Sequence, residues 1–128
     1  MREIKFRGLR PDGQGWVYGY YVKDPRGSHR IYWMPFDEAT YNTYHFVHPL
    51  LVGQFTGLKD INGTDIYEGD VVVWKVNDIQ RTASVYFDEH ASCFWMGRDK
   101  SIDQLVLNDW MRGEYQVIGN IHQNPELL

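Results

Sequence analysis

Two histidines three positions apart, His45 and His48, and a compact acidic group, Asp65, Glu68 and Asp70, are the residues whose types are best suited to chemistry. Imidazole nitrogens and carboxylates together can hold a divalent ion that activates water, which would make the protein a metal-dependent hydrolase or nuclease using His45, His48, Asp65 and Asp70. His90 and His122 are remote in sequence from that group. The competing reading needs no metal. Glu68 and Asp70 flank Gly69 at a turn, where carboxylates commonly accept backbone N–H groups. Asp60-x-Asn62-Gly63 opens like a calcium loop, but its glycine stands fourth rather than sixth, and a reverse turn accounts for it better. Cys93, the single cysteine, lies between Ser92 and Phe94-Trp95 and reads as a small packing residue rather than a nucleophile. No Walker lysine, dinucleotide glycine fingerprint or paired-cysteine zinc motif is present. The residues therefore favour a protein that is not an enzyme and needs no cofactor.

The other chemistry on offer is recognition. Five Trp, nine Tyr and six Phe make 16% of the 128 residues aromatic. The N-terminal group Trp16, Tyr18, Tyr20, Tyr21, Tyr32 and Trp33 alternates along extended segments, so that half of it can face outwards. The net charge of −4 is unevenly spread: residues 1–35 carry seven Lys/Arg against three acids, and residues 36–70 carry Lys59 alone against six acids. Exposed aromatics beside arginines stack the bases of single-stranded nucleic acid, which would use Arg2, Lys5, Arg7, Arg26 and Arg30 with Trp16 and Tyr18. They equally anchor protein interfaces, where Tyr, Trp and Arg are enriched. Overall acidity opposes polyanion binding, so the preferred expectation is a protein partner or homo-oligomer. Its candidate contact residues are Trp16, Tyr18, Tyr20, Tyr32, Arg7 and Arg30.

The elements that must position these residues have a period of two. Ile4 and Phe6 alternate with charged residues, Pro11 to Gly15 supply turn chemistry, and Trp16–Val22 is rich in sheet formers, which together predict a β-hairpin. A third strand is expected over His29–Met34, then a connecting loop over 36–49 with room for a short strand at 44–48. Further strands are expected at Leu51–Phe55, Val71–Val76, Thr82–Phe87, Cys93–Met96 and Glu114–His122. Asn62-Gly63 and Asn77-Asp78 are the predicted reverse turns. Gly119 predicts a bulge or the tight approach of another segment. Trp74, Phe87 and Phe55 are the predicted core aromatics.

Ser101 with Gln104 fits a capping box, and Ile102, Leu105, Val106 and Trp110 lie at helical spacing. At most one short helix is therefore expected near 101–112, against a competing strand at Leu105-Val106-Leu107. The fold class is mainly β: short antiparallel strands, with an N-terminal hairpin sheet and a small curled sheet or SH3-like barrel over about 52–121. The length predicts a single domain over 1–128, with possible sub-parts 1–50 and 51–128. The lone cysteine and the lack of a long apolar run predict a cytoplasmic protein without membrane contact.

Several blocks of sequence carry a more specific likeness. Met1-Arg2-Glu3-Ile4-Lys5-Phe6-Arg7-Gly8 and Trp16-Val17-Tyr18-Gly19-Tyr20 resemble the opening of YopX-family proteins. Val52-Gly53-Gln54-Phe55-Thr56-Gly57-Leu58-Lys59-Asp60, Asn62-Gly63 and Ile66-Tyr67-Glu68-Gly69-Asp70-Val71-Val72 resemble its central signature. Val117-Ile118-Gly119-Asn120-Ile121-His122 with Asn124-Pro125-Glu126-Leu127-Leu128 resembles its ending. Residues 24–50 and 77–112 carry no such wording. The resemblance implies a phage or prophage protein inside a bacterial host, with a β-rich fold. It implies no activity and no catalytic residue.

Overall fold

The computed structural model describes residues 3–13, 15–33, 43–90, 92–97, 105–106 and 114–128. The protein is mainly β, built from two antiparallel sheets, and the chain divides into two compact units, residues 1–55 and 56–128. Among the described residues neither sheet closes on itself. Of the two arrangements expected over about 52–121, a small curled sheet or an SH3-like barrel, the closed barrel is not formed among the described residues.

In the first unit, β1 (Phe6–Leu9), β2 (Trp16–Lys23), β3 (His29–Trp33) and β4 (Tyr44–Phe46) lie in the order β4-β3-β2-β1. β1 also pairs with the first residues of β5 (Val52–Lys59). One side of this sheet is packed: Ile31 and Val47 are buried on it, and Tyr21 lies against both Phe6 and His29. Gly8 is required there, because a Cβ would stand 2.6 Å from Val47 Cγ1. The predicted strand over His29–Met34 is present through Trp33; Met34 and the predicted loop residues 36–42 lie outside the described residues.

In the second unit, β5 runs on to pair with β6 (Asp65–Tyr67). A five-stranded sheet follows, in the order β10-β9-β8-β7-β11, from β7 (Asp70–Val76), β8 (Ile79–Asp88), β9 (Cys93–Gly97), β10 (Leu105–Val106) and β11 (Gln116–Asn120). Its core gathers Ile66, Val72, Trp74, Ala83, Val85, Phe94, Met96 and Tyr115, with Trp74 and Tyr115 edge to face at 5.8 Å. β7 and β8 join through Asn77 and Asp78, with φ of 51° and 64°; positive φ at both central positions gives a turn whose twist suits a hairpin.

Three details differ from the sequence expectation. Leu105 and Val106 pair with Met96 and Trp95, which is the strand alternative; the rest of the expected helix over 101–112 lies outside the described residues. Trp74 and Phe55 are buried as expected, but Phe87 is 41% exposed. β8 outruns β7, which begins at Asp70 and pairs Val71 with Ser84, so among the described residues Phe87 has β9 alone beside it and rests against Phe94. The Asn62-Gly63 turn is wider than a two-residue loop and is organised by Asp60. Its buried carboxylate accepts the N–H groups of Asn62 (2.8 Å) and Thr64 (2.9 Å) on Oδ1, and of Val117 (2.9 Å) on Oδ2.

Tyr115 is fully buried beside Trp74, and burial, reinforced by the charge of Glu114, pushes its phenol up to about 12. An unfolded tyrosine ionises near 10. Between those values unfolding releases a proton, so this contribution to stability is fully present below pH 10 and is lost as pH rises to 12. The stability difference between the wild type and Tyr115→Phe, from urea denaturation, should stay constant up to pH 10. It should then move against the wild type by up to about 2.7 kcal/mol by pH 12. A difference independent of pH contradicts this placement of Tyr115.

Candidate binding face

Residues directly opposite one another on antiparallel strands project to the same side. The register pairs Arg7 with Tyr18, Tyr20 with Tyr32, Tyr32 with Tyr44, Val22 with Arg30 and Arg30 with Phe46. Trp16, Tyr18, Tyr20 and Val22, two apart on β2, therefore share one face with Arg30, Tyr32, Tyr44 and Phe46. It is the face opposite Ile31 and Val47. Two cross-strand rows result, Tyr20–Tyr32–Tyr44 and Val22–Arg30–Phe46.

This face is aromatic and open. Tyr18 and Tyr20 are each 44% exposed, Tyr44 39% and Phe46 53%. Tyr32 and Tyr44 lie 5.4 Å apart, and Tyr44 meets Phe46 edge to face at 5.5 Å. Arg30 lies over both rings, 4.8 Å from the centre of Tyr44 and 5.5 Å from that of Phe46. It donates through Nε to Ser28 and through Nη2 to Asp24, each at 3.3 Å. A hydrogen bond with Tyr32, outweighing partial desolvation and helped by Tyr44 and Asp24, holds its guanidinium above the ordinary arginine range. Arg30 thus rigidifies the rings while keeping its charge.

Arg7 behaves differently from the other candidates. It is 6% exposed, with its guanidinium 4.4 Å from the centre of the Trp16 ring, so it lies within the face covered by its neighbours rather than presenting charge. Other basic residues of this unit have acidic companions: Lys5 lies 3.6 Å from Glu3, and Arg10 2.8 Å from Asp12.

The candidate metal ligands are engaged separately. His45, on β4, meets Trp33 edge to face, and His48 Nδ1 accepts the N–H of Leu50 as the cap of a 3-10 turn at Pro49–Leu51. Asp65 pairs with Lys59 at 2.8 Å, and Asp70, buried at the start of β7, accepts the N–H of Tyr67 at 2.8 Å. Among the described residues no three His, Cys, Asp or Glu side chains come together as a metal site would require. Val22, Tyr44 and Phe46 are the members of the face that sequence reasoning missed. For Tyr44 and Phe46 the available signal was their alternation between Thr43 and Val47, at the edge of a stretch without clear period.

The YopX family model, described as YopX protein, matches residues 5–128. The chain belongs to the YopX family. A solved structure that resembles this YopX chain along its whole length is the crystal structure of protein EF1440 from Enterococcus faecalis. It shares 25% sequence identity and a TM-score of 0.68, covering 100% of this chain and 99% of that one. No curated protein sequence matches the YopX chain. Among its described residues no helix is long and apolar enough to cross a membrane.

A guanidinium stacked on an indole away from water stabilises by about 2 kcal/mol. Arg7→Ala should lower unfolding free energy by about that amount in urea titrations, and Arg7→Lys should recover only part of it, lacking the planar group. An Arg7→Ala protein as stable as the wild type would show that the contact with Trp16 contributes nothing.

Proposed function

We propose that this protein is a non-catalytic binding module that associates with a second copy of itself through the aromatic sheet of its first unit. The observation that carries the reading is the pair of cross-strand rows, Tyr20–Tyr32–Tyr44 and Val22–Arg30–Phe46, which leaves large apolar rings in water on one side of a sheet. Tyr and Arg are enriched among the residues that supply affinity at protein interfaces, and aromatic rings bury much area at little entropic cost. Trp16, Tyr18 and Arg7 extend the same face towards β1. The residues that would serve chemistry instead support the reading by their structural use: Asp60 and Asp70 bind backbone N–H groups, and His48 caps a turn. Nucleic acid is the less supported partner, since Arg7 is buried and Lys5, Arg10 and Arg30 have carboxylates beside them. The phage or prophage setting in a bacterial cytoplasm that the family likeness implies accompanies this proposal.

Sedimentation velocity over a micromolar concentration range tests it. The wild type should exceed the mass of one 15.1 kDa chain in a concentration-dependent way. Tyr20→Glu, on the exposed face, should weaken association at least tenfold with little change in melting temperature. A single species of one chain's mass at every concentration removes self-association from the account.

A further inference from the structure

The hydrogen bonds around β4 decide which of its backbone groups are used. Trp33 donates its N–H to Thr43 O (3.1 Å), Val47 donates to His29 O (3.0 Å), and His45 stands opposite Ile31 between them. In an antiparallel ladder alternate residues turn their N–H and C=O towards the same neighbour. Thr43, His45 and Val47 therefore face β3, and the backbone groups of Tyr44 and Phe46 point away from it. β4 is the last strand of its sheet, and among the described residues nothing pairs with those outward groups.

The treatment of another edge sharpens the contrast. β11 ends the five-stranded sheet, yet groups along it and at its entry are taken: Val117 N–H by Asp60, Tyr115 O by Ile61 N–H and Asn120 N–H by Asn124 Oδ1. Proteins commonly blunt edge strands with charge, proline or covering segments. β4 has no such cover among the described residues, and Thr43-Tyr44-His45-Phe46-Val47 contains no Lys, Arg, Asp, Glu or Pro.

We infer that β4 pairs antiparallel with β4 of a second copy, about a two-fold axis through His45, joining the two N-terminal sheets edge to edge. This rests on the self-association proposed above and names its geometry. The outward groups at positions 44 and 46 fix the register: Tyr44 stands opposite Phe46 of the partner subunit, Phe46 opposite the partner's Tyr44, and His45 opposite the partner's His45. Each flanking pair exchanges two hydrogen bonds, so four new backbone bonds form with no strand of another sequence needed. The side chains agree with that register. The row Tyr20–Tyr32–Tyr44 runs straight into the partner's Phe46, and Phe46 continues into the partner's Tyr44, so both cross-strand rows continue across the seam. The absence of charge on the strand lets two identical edges meet without like-charge repulsion, and an identical aromatic edge fits this surface better than a charged peptide.

Residues facing each other in a non-hydrogen-bonded pair have Cα atoms about 4.5 Å apart, within disulfide reach. The decisive experiment is cysteine cross-linking of the full chain in a Cys93→Ala background. His45→Cys should give a reducible covalent dimer on mild oxidation at least tenfold faster than Thr43→Cys, whose two copies are offset by four residues. Phe46→Pro removes one outward N–H and leaves the bonds to β3 in place, so it should abolish the sedimenting dimer while the sheet's circular dichroism persists. A wild type that self-associates but shows no preference for His45→Cys overturns the edge pairing and leaves association through the face standing. A wild type that never associates overturns both.

Discussion

Antiparallel pairing allows each residue only two directions, and the first unit depends on how that restriction sorts its side chains. Once Ile31 is directed inwards and Val47 closes over Gly8, their neighbours at odd spacing have no choice of side. Tyr20, Tyr32 and Tyr44 must then form a row on the other face, with Arg30 and Phe46 in the row beside it. A slip of one residue in any of these pairings would bury tyrosine hydroxyls and expose Ile31. The cost of that exchange, about 25 cal/mol for each Å² of apolar surface returned to water plus the unmet hydroxyls, pins the register. The aromatic face is thus a consequence of the same pairing that builds the core.

The second unit solves a different problem with a charge. Asp60 is buried, but three backbone N–H groups converge on its two oxygens, which is the condition under which a buried carboxylate is tolerated. Two of those donors shape the loop between β5 and β6, and the third belongs to β11, 57 residues later. One side chain therefore closes a turn and occupies part of a sheet edge. Asn120 acts similarly at the other end of β11, its Oδ1 accepting the N–H groups of His122 and Gln123. The bulge at Ile118, between the Val117–Val72 and Gly119–Val71 pairs, brings Gly119 so near Asn124 that a Cβ would stand 2.6 Å from its Oδ1. Polar residues in this unit are spent on holding strand ends.

Local chemistry was readable in the sequence and long-range relations were not. Asn77-Asp78 as a tight turn, Asp70 beside Gly69 as a backbone acceptor, and Gly119 as a bulge all follow from residue types acting on their immediate neighbours. Phe87 was misjudged because alternation tells which side a residue faces, but not where the neighbouring strand stops. Arg7 was taken for surface charge because composition cannot show that an indole covers it. Leu105 and Val106 fit helix and strand alike over so short a span, and pairing with β9 decides between them. Tyr44 and Phe46 were overlooked for a related reason: three residues are too few to establish a period. The YopX likeness was legible because its blocks run over most of the chain, and the family model matches residues 5–128.

The alternation of used and unused backbone groups along β4 is the point where this account meets measurement most directly. Amide hydrogen exchange at single-residue resolution, at dilute and at high protein concentration, reads it without altering the chain. The account predicts that His45 and Val47 are protected at both concentrations, whereas Tyr44 and Phe46 exchange freely when dilute and slow at least tenfold when concentrated. Tyr44 and Phe46 amides that exchange at the same rate at every concentration would contradict it.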